Sequence, residues 1–176
     1  MDQKPTYPTP RVTDIQEIKR KGPWDTKSGG SLNVLFSIGY DSIQGRFLRY
    51  ERSELEMIGM DIRGLRSYTV TGLKKGSVGA HEWHRLRNEL VFTVRGSVKW
   101  TCEDTYGEIV TFSKSTSFGL WIPPFTLHTY ESLEDNSEIL VFANTLFLPD
   151  DPTTHDTFDA TLFQKLQNQY ITKNNS

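Results

Sequence analysis

Between Leu65 and Leu148 the chain is a succession of short runs rich in β-branched and aromatic residues, each closed by glycine, proline or a polar turn. "LRSYTVTGL" (65–73) stops at Lys74-Lys75-Gly76. "NELVFTVRGSVKWTCED" (88–104) reads as two runs about Arg95-Gly96-Ser97, a hairpin signal. "YGEIVTFSKSTSFGLWIPPFTLHTYES" (106–132) holds two more. Within it, Pro123-Pro124 offers no amide donors and forces a turn or a strand edge. "SEILVFANTLFL" (137–148) is a strongly apolar strand. Many short strands with so little helical periodicity restrict the chain to a β-sandwich or barrel. Only after Asp156 do Phe158, Leu162, Phe163, Leu166, Tyr170 and Ile171 recur near helical spacing, which predicts a C-terminal helix.

The N-terminal part is less regular. Residues 1–11 are rich in proline and threonine and read as a disordered or extended arm, leaving 12–176 as one domain. "GPWDTKSGGSLNVLF" (22–36) puts turn residues before a strand-like run. Residues 37–60 mix both periods and read as a strand followed by a short helix or loop.

A length of 176 residues suits one domain with a substantial core. Twenty Lys+Arg against 22 Asp+Glu leave a net charge of −2, with no basic excess pointing to nucleic acid. The single cysteine, Cys102, excludes an internal disulfide and reads as a buried strand thiol. The first twenty residues lack the apolar run of a signal peptide, and no stretch approaches the ~18–20 apolar residues of a membrane span. The expected setting is cytoplasmic.

Chemistry concentrates in "GAHEWH" (79–84). In a strand, residues two apart share a face, so Glu82 points with His84 while His81 and Trp83 point the other way. A bulge would be needed to pair the two histidines.

Around that stretch, Gly76, Glu82, His84, Glu89 and Gly96 resemble the first cupin motif, with Glu82 where most cupins have their first histidine. Gly119, Pro123, Pro124 and His128 resemble the second. The block "GLWIPPFTLHTYES…EILVFAN" looks like the sugar-nucleotide 3,4-ketoisomerase family of cupins. Tyr68, sixteen residues before His84, matches a tyrosine of that family. "LPDDPTTHDTF" resembles its acidic tail, and the likeness covers roughly residues 62–160. The chain departs from the family where the first histidine falls on Glu82 and where an arginine falls on Gly79; residues 37–58 look like an insertion.

The resemblance implies an all-β fold, the cupin double-stranded β-helix or jelly roll, with an N-terminal extension and a short C-terminal helix. It implies an isomerase of cytoplasmic deoxysugar biosynthesis that shifts a keto group between C4 and C3 of a dTDP-4-keto-6-deoxy sugar by acid–base proton transfer, without a cofactor. Glu82 and His84 are then the proton-transfer pair; alternatively Glu82 orients His84 as a dyad partner, which would raise the pKa of His84. Tyr68 would donate to the developing oxyanion, with His128 a further acid or base. Arg66, Trp121 and Tyr130 would contact substrate. Arg63, Arg66, Lys74 and Lys75 are the candidates to replace the missing arginine. A homodimer joined through N-terminal strands is expected.

Two alternatives stand beside this. Glu82, His84, Glu89 and His128 match the ligand positions of metal cupins and would suit a divalent transition metal. A cupin without its catalytic pair could instead bind a sugar nucleotide without turnover.

Overall fold

A computed structural model describes residues 10–50, 62–116, 118–152 and 155–174. Two five-stranded antiparallel sheets pack face to face. In chain order the strands are β1 (Gln16–Lys19), β2 (Lys21–Asp25), β3 (Ser31–Val34), β4 (Arg63–Leu73), β5 (Val78–Trp83), β6 (Glu89–Arg95), β7 (Ser97–Glu103), β8 (Ile109–Ser115), β9 (Phe118–Ile122), β10 (Leu127–Ser132), β11 (Ser137–Thr145) and β12 (Phe158–Asp159). One sheet runs β1-β9-β6-β11-β4 and the other β12-β5-β10-β7-β8; β2 and β3 form a separate hairpin.

The core between the sheets follows from strand alternation. Val91 and Leu120 from one sheet meet Val98, Trp100 and Cys102 from the other, with Ile122, Ile139 and Val141. Cys102 is buried there, and burial pushes its thiol up to about 12, as fits a packing residue. The opposite face of the first sheet carries Leu90, Phe92 and Trp121. It is covered by Phe47, Leu35 and Phe36 from the N-terminal part. Phe47 belongs to a short helical segment made of α1 (Tyr40–Ser42) and a π turn (Ile43–Phe47). The region expected to hold a strand and then a helix or loop is therefore helical at 40–47 and serves as a lid on the sheet; residues 51–60 lie outside the described part.

The expected hairpin at Arg95-Gly96-Ser97 is a corner instead. β6 pairs with β9 and β11, while β7 pairs with β8 and β10, so the chain changes sheets there. Gly96 has φ +72°, and a Cβ on it would lie 2.5 Å from Ser137 Oγ, so both conformation and space require glycine. Residues 106–132 form three strands rather than two, and Pro123-Pro124 makes another change of sheet, from β9 to β10. The C-terminal helix α2 (Ala160–Asn174) is present. It lays Phe163, 0% exposed, on Trp83, Phe125 and Leu127 at the outer face of the second sheet.

The arm reading of residues 1–9 lies outside the described residues. Arg11, assigned to that arm, is fastened: Nε lies 3.0 Å from Asp104 Oδ2, Nη2 2.8 Å from Glu108, and the guanidinium stacks on Tyr106.

Candidate active site

β5 and β10 run antiparallel, with Tyr130 opposite Gly79, Thr129 opposite Ala80 and His128 opposite Glu82. His81 has no opposite number and is the extra residue of a β-bulge, with Ala80 at φ +60° and His81 at φ +64°. Partners across a sheet share a face, so Gly79 points inward with Tyr130, and unbroken alternation would bring His81 and Trp83 inward too. The bulge resets the parity. Glu82 joins His128 on the inner face, while His81 turns out and its Nδ1 meets Thr129 Oγ1 at 3.0 Å. The pairing of Glu82 with His84 expected from periodicity thus arises, with the bulge supplying its orientation.

The inner-facing residues converge on Glu89, at the start of β6. Its Oε1 accepts from the Tyr68 hydroxyl at 3.1 Å and from Arg87 Nη1 at 3.4 Å; its Oε2 lies 3.4 Å from His128 Nε2. His84 Nε2 lies 3.7 Å from Glu82 and 3.6 Å from Glu89. Each histidine is held from behind. Nδ1 of His128 donates to the Thr126 carbonyl at 3.0 Å, and Nδ1 of His84 donates to the Asp156 carbonyl at 2.5 Å. The Asp156 carboxylate in turn accepts the backbone amides of Arg85, Leu86 and Arg87 at 3.0, 2.8 and 3.0 Å. One residue of the "LPDDPTTHDTF" segment thereby fixes both the loop after β5 and the ring of His84.

Burial makes the electrostatics decisive. Glu89 is almost fully enclosed, which opposes its charge, yet His84, the His128 hydrogen bond and Arg87 hold it well below the usual carboxylate range. Burial also works against charge on His128, but the hydrogen bond and charge of Glu89 outweigh it and raise its pKa above the ordinary 6.5. His84 goes the other way. Burial, then the Arg87 guanidinium, lower it well below 6.5, so the dyad expectation of a raised value is overturned. Tyr68 is raised by burial and by the charge of Glu89, and its proton is committed to that carboxylate.

A cavity of about 210 Å³ opens on this cluster, walled by Tyr68, Glu82, Glu89, Trp100, His128 and Tyr130 and by the aliphatic Val70, Ile139 and Val141. Of the residues expected at the site, Glu82, Tyr68, His128, Glu89 and Tyr130 lie on this wall. His84 stands behind it, 2% exposed. Arg66 is half-buried, with its guanidinium over the rings of Tyr68 and Phe147 and its Nε without a hydrogen-bond partner among the described residues. Trp121, expected against substrate, is not brought to the cavity. It lies on the outer face of the first sheet under Phe47, with Nε1 donating to Asn88 Oδ1 at 3.0 Å, because its alternation is opposite to that of Leu120 and Ile122. Of the candidates for the missing arginine, Arg63, Lys74 and Lys75 are exposed. The place at Gly79 is filled by the Tyr130 ring, which a Cβ there would overlap.

Sequence reasoning missed Arg87. It is 3% exposed, and its guanidinium also donates to Thr145 and Thr157 hydroxyls at 3.2 Å each. It follows the strand by a few residues, where side-chain alternation no longer indicates direction; the signal available was an arginine two residues before a motif carboxylate.

Glu82, His84 and His128 offer ligand atoms within 4.8 Å of one another, a spacing that fits a divalent ion. Arg87 Nη1, however, sits 3.3 Å from His84 Nε2, and Glu89 is committed to Tyr68, Arg87 and His128. A fixed guanidinium at the would-be ligand nitrogen opposes a second cation, so the residues do not fit the four-ligand centre.

The family model described as "FdtA: WxcM-like, C-terminal" matches residues 34–161. Among solved structures, the chain is similar to QdtA, a sugar 3,4-ketoisomerase from Thermoanaerobacterium thermosaccharolyticum in complex with TDP. The identity is 19% and the TM-score 0.60, over 90% of this chain and 98% of that one. It is similar as well to WlaRA, a TDP-fucose-3,4-ketoisomerase from Campylobacter jejuni (14%, TM-score 0.60, 90% and 98%). A 3,4-ketoisomerase from Helicobacter canadensis matches at 15% identity and TM-score 0.59 over 88% and 98%. No curated protein matches by sequence. With the family model spanning well over half its length and the jelly roll shared with these structures, the chain belongs to the FdtA/WxcM-like family of cupins.

Proposed function

We propose that the protein is a sugar-nucleotide ketoisomerase that moves a keto group between C4 and C3 of a dTDP-4-keto-6-deoxy sugar. The observation that carries this reading is the cavity itself, where a carboxylate (Glu82) and an imidazole with raised pKa (His128) share a wall with aromatic and aliphatic side chains. A 1,2-carbonyl shift needs a base at C3, the carbon alpha to the C4 ketone, and a donor to the developing oxyanion; it needs no net oxidant. Glu82 supplies the base. Its side chain, 31% exposed, is the more accessible of the site's two carboxylates and bears no hydrogen bond that would tie its lone pairs within the described residues. His84, His128 and Arg87 hold Glu89 below the usual carboxylate range, and Glu89 in turn raises the pKa of His128. The apolar wall of Val70, Ile139 and Val141 excludes water from the enediol.

Arg66 is the proposed contact to the diphosphate, its guanidinium half-buried beside Tyr68 with an Nε donor unspent. The dTDP moiety is suggested by the solved relatives, one of which is described in complex with TDP-4-keto-6-deoxyglucose. On this reading the enzyme works in cytoplasmic deoxysugar biosynthesis, as a homodimer; among the described residues no helix is long and apolar enough to cross a membrane. The test is direct. Incubation with dTDP-4-keto-6-deoxyglucose, followed by NMR, should yield a 3-keto sugar nucleotide. An unchanged substrate at high enzyme concentration, with no shift in melting temperature, would reject the reading; a shift without turnover would favour a binding protein.

A further inference from the structure

Arg87 occupies a position that decides what His84 can do. Its Nη1 carries two hydrogens, and two acceptors stand in range: Glu89 Oε1 at 3.4 Å and His84 Nε2 at 3.3 Å. Nε and one hydrogen of Nη2 are engaged by the Thr145 and Thr157 hydroxyls. Nε2 of His84 must therefore present a lone pair to the guanidinium, while Nδ1 keeps its hydrogen for the Asp156 carbonyl. Both carboxylates near Nε2 lie farther away, at 3.6 and 3.7 Å. With its Nε2 lone pair facing the guanidinium and its ring off the cavity wall, His84 has no site from which to exchange a proton with a substrate. A guanidinium does not give up its own proton at ordinary pH, so it cannot serve as a relay.

His128 is placed differently. It lies on the cavity wall directly opposite Glu82 in the β5–β10 pair. Its Nδ1 is anchored on the Thr126 carbonyl, which leaves Nε2 on the side of the carboxylates. We infer that Arg87 locks His84 in a neutral, positioning role and that proton transfer is carried by Glu82 and His128; this rests on the ketoisomerase reading.

The step balances with these two groups. Glu82 takes the proton from C3, the C3–H pair forms the C3=C4 bond, and the C4 carbonyl pair moves to O4. O4 takes a proton from His128 Nε2. In the second half the O3 hydroxyl returns a proton to His128 as the C3 carbonyl forms, and the C3=C4 pair takes at C4 a proton from Glu82, whose partly exposed carboxyl has exchanged with solvent in between. Both residues end as they began.

Two measurements test this. The first needs no substrate: nitrogen-15 NMR of histidine-labelled protein should show His84 as the Nδ1–H tautomer with an unprotonated Nε2. The Nε2 resonance should move in Arg87→Met and return toward its original position in Arg87→Lys. The second compares rates on dTDP-4-keto-6-deoxyglucose. His84→Asn, which keeps a donor for the Asp156 carbonyl, should lose about tenfold in kcat or less. His128→Gln should lose about 10²–10⁴-fold, with KM changed only a few-fold. A protonated Nε2 on His84, or a loss in His84→Asn equal to that in His128→Gln, overturns the inference. A wild-type protein inactive on the sugar nucleotide rejects the proposed function instead, and the tautomer then still decides whether Arg87 holds His84.

Discussion

The two faces of β5 lie one strand thickness apart and solve opposite problems. On the inner face Glu82 joins His84, Arg87, Glu89 and His128, groups that are costly to bury unless every charge and lone pair is met. On the outer face Trp83 joins Phe125, Phe158 and Phe163, with ring centroids 5.7, 4.9 and 5.8 Å from its own. The apolar face gains free energy from area removed from water, on the order of 25 cal/mol per Å². The polar face spends free energy on geometry. The comparison teaches that stability and chemistry can be separated by alternation along one strand, and that substitutions on the two faces should separate in the same way.

The largest expected effect is on the inner face. Glu82→Gln keeps the shape but removes the base, and should lower turnover about 10²–10⁴-fold, while stability stays within about 1 kcal/mol, as for a partly exposed carboxylate. Steady-state kinetics and urea unfolding of the same preparation measure both. The outer face should give the inverse. Phe163→Ala empties a fully buried site and should cost about 3–5 kcal/mol in unfolding free energy, while the folded fraction keeps its KM. If Phe163→Ala instead abolished activity in protein shown to be folded, the separation of faces would fail.

Asp156 joins the two halves of the comparison. Asp156→Ala orphans the amides of residues 85–87, and the loss should be about 2–4 kcal/mol. The backbone carbonyl that holds His84 remains in this variant, so any extra loss of activity reports the loop and not the ring.

A smaller effect concerns pH. The pKa of His128 is raised in the folded protein above 6.5, so its contribution to stability is fully present below pH 6.5 and is lost as pH rises through the folded value. The stability difference between wild type and His128→Gln should therefore be greater at about pH 5.5 than at about pH 9. An equal difference at both, by thermal unfolding, would contradict the charged assignment. The smallest effect belongs to His81. His81→Ala removes one exposed hydrogen bond to Thr129 and should change stability by about 0.5 kcal/mol, with activity retained.

The sequence made the strands legible because each sheet has one buried face, and the period of two is written in residues such as Val98, Trp100 and Cys102. It did not make legible which sheet a strand joins. Arg95-Gly96-Ser97 specifies a reversal of direction, but whether the chain folds back or crosses to the other sheet depends on partners distant in sequence, Ser137 among them. Glu82, His84, Glu89, Tyr68 and His128 were legible as candidates through motif spacing. Their division into wall and backing was not. It is set by a bulge whose positive φ values fall on Ala80 and His81, neither of which advertises that conformation. Arg87 and Asp156 escaped for a related reason: each acts from a loop, and Asp156 meets its partners from about seventy residues away.

The claim at the centre of this account is that Glu82, in a histidine's place, moves a proton between C3 and C4. The reaction of dTDP-4-keto-6-deoxyglucose in deuterated water, read by NMR at the product's C4, tests it most directly. Wild type should place one deuterium at C4 of a 3-keto product and Glu82→Gln should place almost none. Equal labelling by the two proteins, or a 3-keto product formed at the wild-type rate by Glu82→Gln, would contradict it.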